Sequence, residues 1–194
     1  MKKFEEQKFE IPELIGISKE NIEEHLKLYS GYVKHANLIL EKIEEYQKDS
    51  EKNAYVLGEL QRRFGFEFDG MRNHEYYFKS LSFGPRELNT EGLLYKKIVE
   101  DFGSFESFVS SFKAIAMTRG IGWAMLYFDK KTNRLLNAFV EEQQMGHLTG
   151  LSPILALDMW EHSYVFDYKP SGKKNYIEDF FKNLNWQVVE ENFK

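Results

Sequence analysis

The chain has 194 residues with 26 basic and 31 acidic side chains, a net charge of −5, and is 42% hydrophobic and 16% aromatic. That is enough apolar material for one large core or two smaller layers sharing one, and the acidic balance speaks against a nucleic-acid binder, which carries a basic excess. There is no cysteine, which excludes disulfides, thiolate nucleophiles, zinc ribbons and iron–sulfur ligation, so any metal must be held by histidine and carboxylate.

The opening MKKFEEQKFEIPELIGIS mixes acids with bases and has no apolar run of signal-peptide length. No later run approaches a membrane span, so the expected location is the cytoplasm and neither membrane nor nucleic acid is an expected partner. Ser18 to Tyr46 reads as one long amphipathic helix. Ser18 is its N-cap, acids crowd the first turns, and Ile22, His25, Leu28, Tyr29, Tyr32 and Val33 fall on one stripe. After the charged break KDSEKN, the stretch AYVLGELQRRF predicts a helix, GFEFDGM interrupts it, and RNHEYYFKSLS predicts a second, buried helix. Gly84 and Pro85 mark a linker, and the main boundary falls near residue 88, giving expected domains 1–88 and 89–194.

The second half opens with two short helices, EGLLYKKIVEDFG and SFESFVSSFKAIAMTRG, the latter capped by Ser104. GWAMLYFD, the turn KKTNR and LLNAFVEE predict an antiparallel hairpin, and PILALDMW predicts a third strand, apolar on both faces and therefore central or covered. KKNYIEDFFKNLNWQVVEENF closes the chain as helix. Helices, a small antiparallel sheet and more helices make an α+β protein with a helical N-terminal layer.

Of the five histidines, His25, His74 and His162 sit on separate elements in apolar, aromatic surroundings, and His162 shares its element with Asp158. Each alone is more often a hydrogen-bonded core residue than a ligand, and Asp158 and Glu161 alone could be first-turn acids of a helix. Together they would be costly to bury unless one cation satisfied all four. No His-Glu-x-x-His or Glu-x-x-His pattern is present, which sets aside zincins and ferritin-like carboxylate enzymes.

The segment LDMWEHSY resembles the C-terminal signature of the iron/manganese superoxide dismutases. GMRNHEYYFKSL resembles that family's second motif, DFGSFESF and GIGWAML its mid-chain segments, and NYIEDFFKNLNW its closing helix. These matches are collinear over nearly the whole chain. The resemblance implies an N-terminal helical hairpin domain and a C-terminal domain with a three-stranded antiparallel sheet flanked by helices. It implies His25, His74, Asp158 and His162 as ligands of one Mn or Fe per chain, which dismutes superoxide to oxygen and hydrogen peroxide in a ping-pong redox cycle.

In related enzymes a glutamine tunes the solvent at the metal. Here the position four before His74 is Gly70, and Gln143, or Gln144 if the register slips by one, would supply the amide; Gly70 with Gln143 resembles the manganese type. By the same resemblance Tyr32 carries hydrogen bonding toward solvent, Trp123 and Trp160 wall the cavity, and Glu161 reaches across a twofold axis to the partner's metal-bound histidine, implying a homodimer or tetramer. His35 and His147 match no ligand position and read as surface or structural.

Several positions depart from the family pattern. Tyr32 lies seven residues after His25 where eight is usual, so an ungapped match would put Glu24 in the ligand slot; two helical turns favour His25. The usual gateway histidine is replaced by Leu28 or Tyr29, the second tyrosine after the metal histidine by Val165, and the tryptophan after Tyr77 by Phe78. These losses of polar groups leave a second expectation open: a dismutase-fold protein of weak or no activity that serves as a structural or interaction dimer.

Overall fold

The computed structural model describes residues 2–193. The segment preceding Ser18 has no regular secondary structure and is tied down by side chains. Asn37 exchanges two hydrogen bonds with the backbone of Phe4, the Gln7 N–H donates to the Tyr29 hydroxyl at 2.9 Å, and Asn183 bonds both the N–H and the C=O of Ile15 at 2.9 Å.

Helix α1 (Lys19–Tyr46) begins where expected, with the Ser18 side chain accepting from the Asn21 N–H. It buries Ile22, His25, Tyr29, Val33, Ala36 and Ile39, whereas Leu28 is 42% exposed and lies off the stripe predicted for it. A short connection leads into α2 (Ala54–Leu81), which packs back along α1. The expected break at GFEFDGM does not occur, and α2 runs unbroken for 28 residues. Its crowded aromatics find partners: Phe68 meets Phe4, off the helix, edge-on at 5.6 Å, and Arg63 of the same helix lies 3.8 Å over Phe66. Gly70 is kept inside the helix by a close approach, since a Cβ there would stand 2.6 Å from the Tyr32 ring.

The second half opens with α3 (Leu93–Phe102) and α4 (Phe105–Ala116), the latter capped by Ser104. Three antiparallel strands follow, β1 (Gly122–Asp129), β2 (Arg134–Glu141) and β3 (Ser152–Asp158), in the order β2-β1-β3. The central strand is therefore β1. Strand β3 is an edge, apolar on both faces because α2 and α7 cover it, and the edge tolerates Pro153. The closing elements are α5 (Glu161–Tyr168), α6 (Lys173–Asn183) and α7 (Trp186–Asn192).

The single closing helix predicted from the sequence is broken at Leu184 and Asn185. There the Asn185 N–H donates to the Ser80 C=O, its side chain donates to the Ser82 C=O, and the backbone of Arg86 bonds both Leu184 and Trp186. Those partners lie outside the helix, so the backbone leaves it to reach them.

Candidate metal centre

Four side chains from α1, α2, β3 and α5 meet at one point. In register, Asp158 ends β3 opposite Trp123 of β1, so the apolar edge strand delivers a carboxylate to the interior. Its Oδ2 lies 3.1 Å from His25 Nε2, 3.2 Å from His162 Nε2 and 3.6 Å from His74 Nε2, and the four candidate donor atoms all fall within 4.8 Å of one another. His25, His74 and Asp158 are buried, while the His162 side chain is 23% exposed. Glu24, the alternative to His25, points to solvent and pairs with Lys27 at 2.6 Å.

The protonation states leave this cluster short of a cation. His74 Nδ1 lies 2.6 Å from the Gly70 C=O, which can only accept, so the hydrogen is on Nδ1 and Nε2 carries a lone pair. That Nε2 is buried and has no hydrogen-bond partner. Burial, reinforced by the nearby His25, drives the His74 imidazole down to about 3, and burial likewise lowers His25. Burial alone would raise the Asp158 carboxyl, but His162 and His25 beside it hold it well below the usual carboxylate range. A His74 Nε2 lone pair aimed at the Asp158 carboxylate oxygen is repelled unless a cation lies between them, and three nitrogens with one oxygen suit Mn or Fe. The residues present fit such an ion.

The surroundings fix these donors in place. The Trp160 N–H donates to Asp158 Oδ1 at 2.7 Å, leaving Oδ2 free to face the imidazoles. Gln143 is fully buried and bonded at both ends, with Oε1 accepting from the Trp123 indole at 2.9 Å and Nε2 donating to the Tyr32 hydroxyl at 2.9 Å. It is therefore Gln143, and not Gln144, whose amide joins this network. Tyr32, seven residues beyond His25 on a helix with no bulge, stands 5.0 Å from the His74 ring, and burial together with the Asp158 charge keeps its hydroxyl protonated. Trp160 lies parallel to His162 at 5.9 Å and donates its indole N–H to the Glu142 C=O. Glu161 is exposed beside His162 and, with Asn21, Glu24, Val165 and Phe166, lines a shallow cavity of about 400 Å3.

Three residues of this neighbourhood were not singled out from the sequence. Asn73 donates to the Gln143 C=O at 2.9 Å, and His147, read as surface or structural, is half-buried with Nε2 3.0 Å from the same oxygen and Nδ1 2.6 Å from the Tyr127 hydroxyl. For Asn73 the available signal was its place beside His74; for the other two there was none beyond the four-residue spacing from Gln143 to His147.

Comparison with known proteins agrees with this geometry. Residues 90–192 match the family model of the C-terminal domain of iron/manganese superoxide dismutases. The chain is 38% identical over 186 residues to the iron superoxide dismutase of Aquifex pyrophilus, covering 93% of this chain and 86% of that protein. It is 35% identical over 170 residues to the manganese superoxide dismutase of Mycobacterium leprae, covering 87% of this chain and 80% of that protein.

Proposed function

Since the chain belongs to the iron/manganese superoxide dismutase family, we propose that it dismutes superoxide to oxygen and hydrogen peroxide with one Mn or Fe ion held by His25, His74, Asp158 and His162. The observation that carries this reading is the buried, partnerless lone pair of His74 Nε2, aimed at the same point as Asp158 Oδ2 and two further imidazole nitrogens. Such an ion supplies one-electron chemistry by alternating between trivalent and divalent states.

The chain's own residues account for the rest. Asp158 offsets cationic charge in the buried site, and the Gly70 C=O locks His74 in the tautomer that leaves Nε2 available. The Gln143 Oε1 is occupied by Trp123, and one Nε2 hydrogen goes to Tyr32, so its second Nε2 hydrogen is left to orient a small oxygen species in the site. Tyr32 accepts from Gln143 and keeps its own hydrogen, available to a reduced oxygen species that must take up protons to leave as peroxide. The rings of Trp123 and Trp160 keep water from the cluster.

Between the two metals we favour manganese, because the amide comes from Gln143 and position 70 is glycine. We take residues 1–88 and 89–194 as the two domains, the cytoplasm as the working location, and a homodimer as the working unit, with Glu161 reaching the partner's metal-bound histidine. Support for the dimer comes from a candidate ligand, His162, that a single chain leaves 23% exposed beside a carboxylate with no ion-pair partner among the described residues. No helix is long and apolar enough to cross a membrane. A catalytically silent scaffold would have no use for three imidazoles and a carboxylate packed within 4.8 Å.

The test is elemental analysis of purified protein, with superoxide consumption assayed on the same sample. About one Mn or Fe per chain with rapid turnover is the expected result. A chain that stays metal-free after refolding with either ion would overturn the ligand assignment; bound metal without turnover would overturn the catalytic one.

A further inference from the structure

We propose that His147 is a positioning residue for Gln143: its imidazole, backed by Tyr127, clamps the Gln143 carbonyl so that the amide side chain spans Trp123 and Tyr32. This rests on the dismutase reading only for its consequence in turnover, since the clamp itself is a property of the metal-free chain.

Residues 142–151 join β2 to β3 and carry Gln143 at a tight turn. Glu141 and Met145 exchange two backbone hydrogen bonds there, at 2.8 and 3.1 Å. The turn needs Glu142 at φ 50°, a left-handed conformation costly for a residue with a side chain. Such a backbone persists only where neighbours over-determine it. Three donors do so here. The Trp160 indole holds the Glu142 C=O, while Asn73 and His147 both hold the Gln143 C=O.

The Gln143 carbonyl can only accept, so His147 Nε2 carries the hydrogen. Its Nδ1 lies 2.6 Å from the Tyr127 hydroxyl, which is also 3.0 Å from Met125 Sδ. Tyr127 projects from the central strand β1, at the point where its register with β3 shifts, and is 1% exposed, so it anchors the ring to the buried sheet. His147 touches none of the four clustered residues, so it acts through the turn. Asn73, by contrast, is next to His74 on α2 and cannot be altered without disturbing that side chain.

The experiment follows the indole N–H resonances of the metal-free protein by 15N NMR, because Trp123 Nε1 donates directly to Gln143 Oε1. In His147→Leu the Trp123 resonance moves and its hydrogen exchange quickens about tenfold, the effect of losing one hydrogen bond. The Trp186 resonance, distant from the loop, stays in place as the control. His147→Gln restores a donor and returns Trp123 toward its original position, and Tyr127→Phe gives a smaller shift in the same direction. In metal-loaded protein, His147→Leu lowers kcat with KM and metal content unchanged.

A Trp123 resonance unmoved in His147→Leu overturns the proposal. If that variant fails to fold, an unmoved Trp123 in both His147→Gln and Tyr127→Phe overturns it equally. Absent turnover in a chain whose indole responds as expected would overturn the dismutase reading and leave the clamp standing.

Discussion

The two walls of the candidate metal centre are held in opposite ways. On the sheet side Gln143 is fully buried and takes part in four hydrogen bonds, from Trp123, Asn73 and His147 and to Tyr32. On the side of α1 and α5, His162 is part-exposed and Phe166 is 66% exposed, and the cavity they line with Asn21, Glu24, Glu161 and Val165 is open. One wall is completed by the chain itself, through polar groups with fixed directions. The other is apolar and uncovered, so its final shape depends on whatever packs there, which in the proposed dimer is a second copy.

The difference can be broken most severely at the point both walls share. Asp158→Asn removes the charge that faces all three imidazoles, and metal affinity should fall by about a hundredfold or more, beyond the loss typical of an outer hydrogen-bond partner. A chelator competition titration measures it; affinity unchanged within a few-fold would sink the ligand assignment.

Acid should act next most strongly, and on the cluster rather than on either wall. Burial keeps His74 neutral down to about 3 in the folded chain, while in the unfolded chain it takes up a proton near 6.5. Between those values the unfolded state binds more protons, so stability of the metal-free protein falls as pH is lowered, by up to ~1.4 kcal/mol per pH unit from this group. The lowered Asp158 acts in the same sense. Denaturant midpoints followed from pH 7 downward check this, and a flat profile contradicts it.

Gly70→Ala sharpens the comparison by acting on Gln143 through Tyr32. Its new methyl would stand 2.6 Å from the Tyr32 ring, so either α2 or Tyr32 must shift. Overpacking of this kind costs about 1–3 kcal/mol. Equilibrium unfolding should show the loss, together with reduced turnover as Tyr32 leaves Gln143; wild-type stability and turnover would show that the contact is slack.

Glu161→Ala probes the open wall alone. Dimer dissociation and metal loss should each increase about tenfold, the range expected for a partner that orients a ligand. Sedimentation and metal content unchanged from wild type would remove Glu161 from the interface.

How far the sequence reveals all this depends on whether a feature is local. The Ser18 and Ser104 caps, the hairpin and the ligand-bearing segments are readable because capping, alternation and motif spacing act over a few residues. The unbroken α2 is not, because GFEFDGM reads as an interruption until Phe4 and Arg63 are known to cover Phe68 and Phe66. Strand β3 reads only as central or covered, and the structure makes it a covered edge, because an apolar strand pattern does not show which neighbours supply the cover. Leu28 was assigned to the buried stripe by spacing alone, and the structure turns it outward. His147 carries no signal of its own, because its partner is a backbone carbonyl, a group present at every position and therefore invisible in composition.

The stitch between Ile15 and Asn183 joins positions 168 residues apart, and the cluster itself joins His25 to Asp158 across 133. Contacts of such separation form late, because loop closure must be met before they contribute. On the ribosome the helical hairpin emerges well before β3, α5 and α6 exist, with His25 and His74 exposed and Ile15 not yet tied to Asn183. The four proposed donors can meet only once His162 has been made, so loading of the proposed ion follows synthesis of β3 and α5, and a chain stopped before β3 would hold two of the imidazoles and no site.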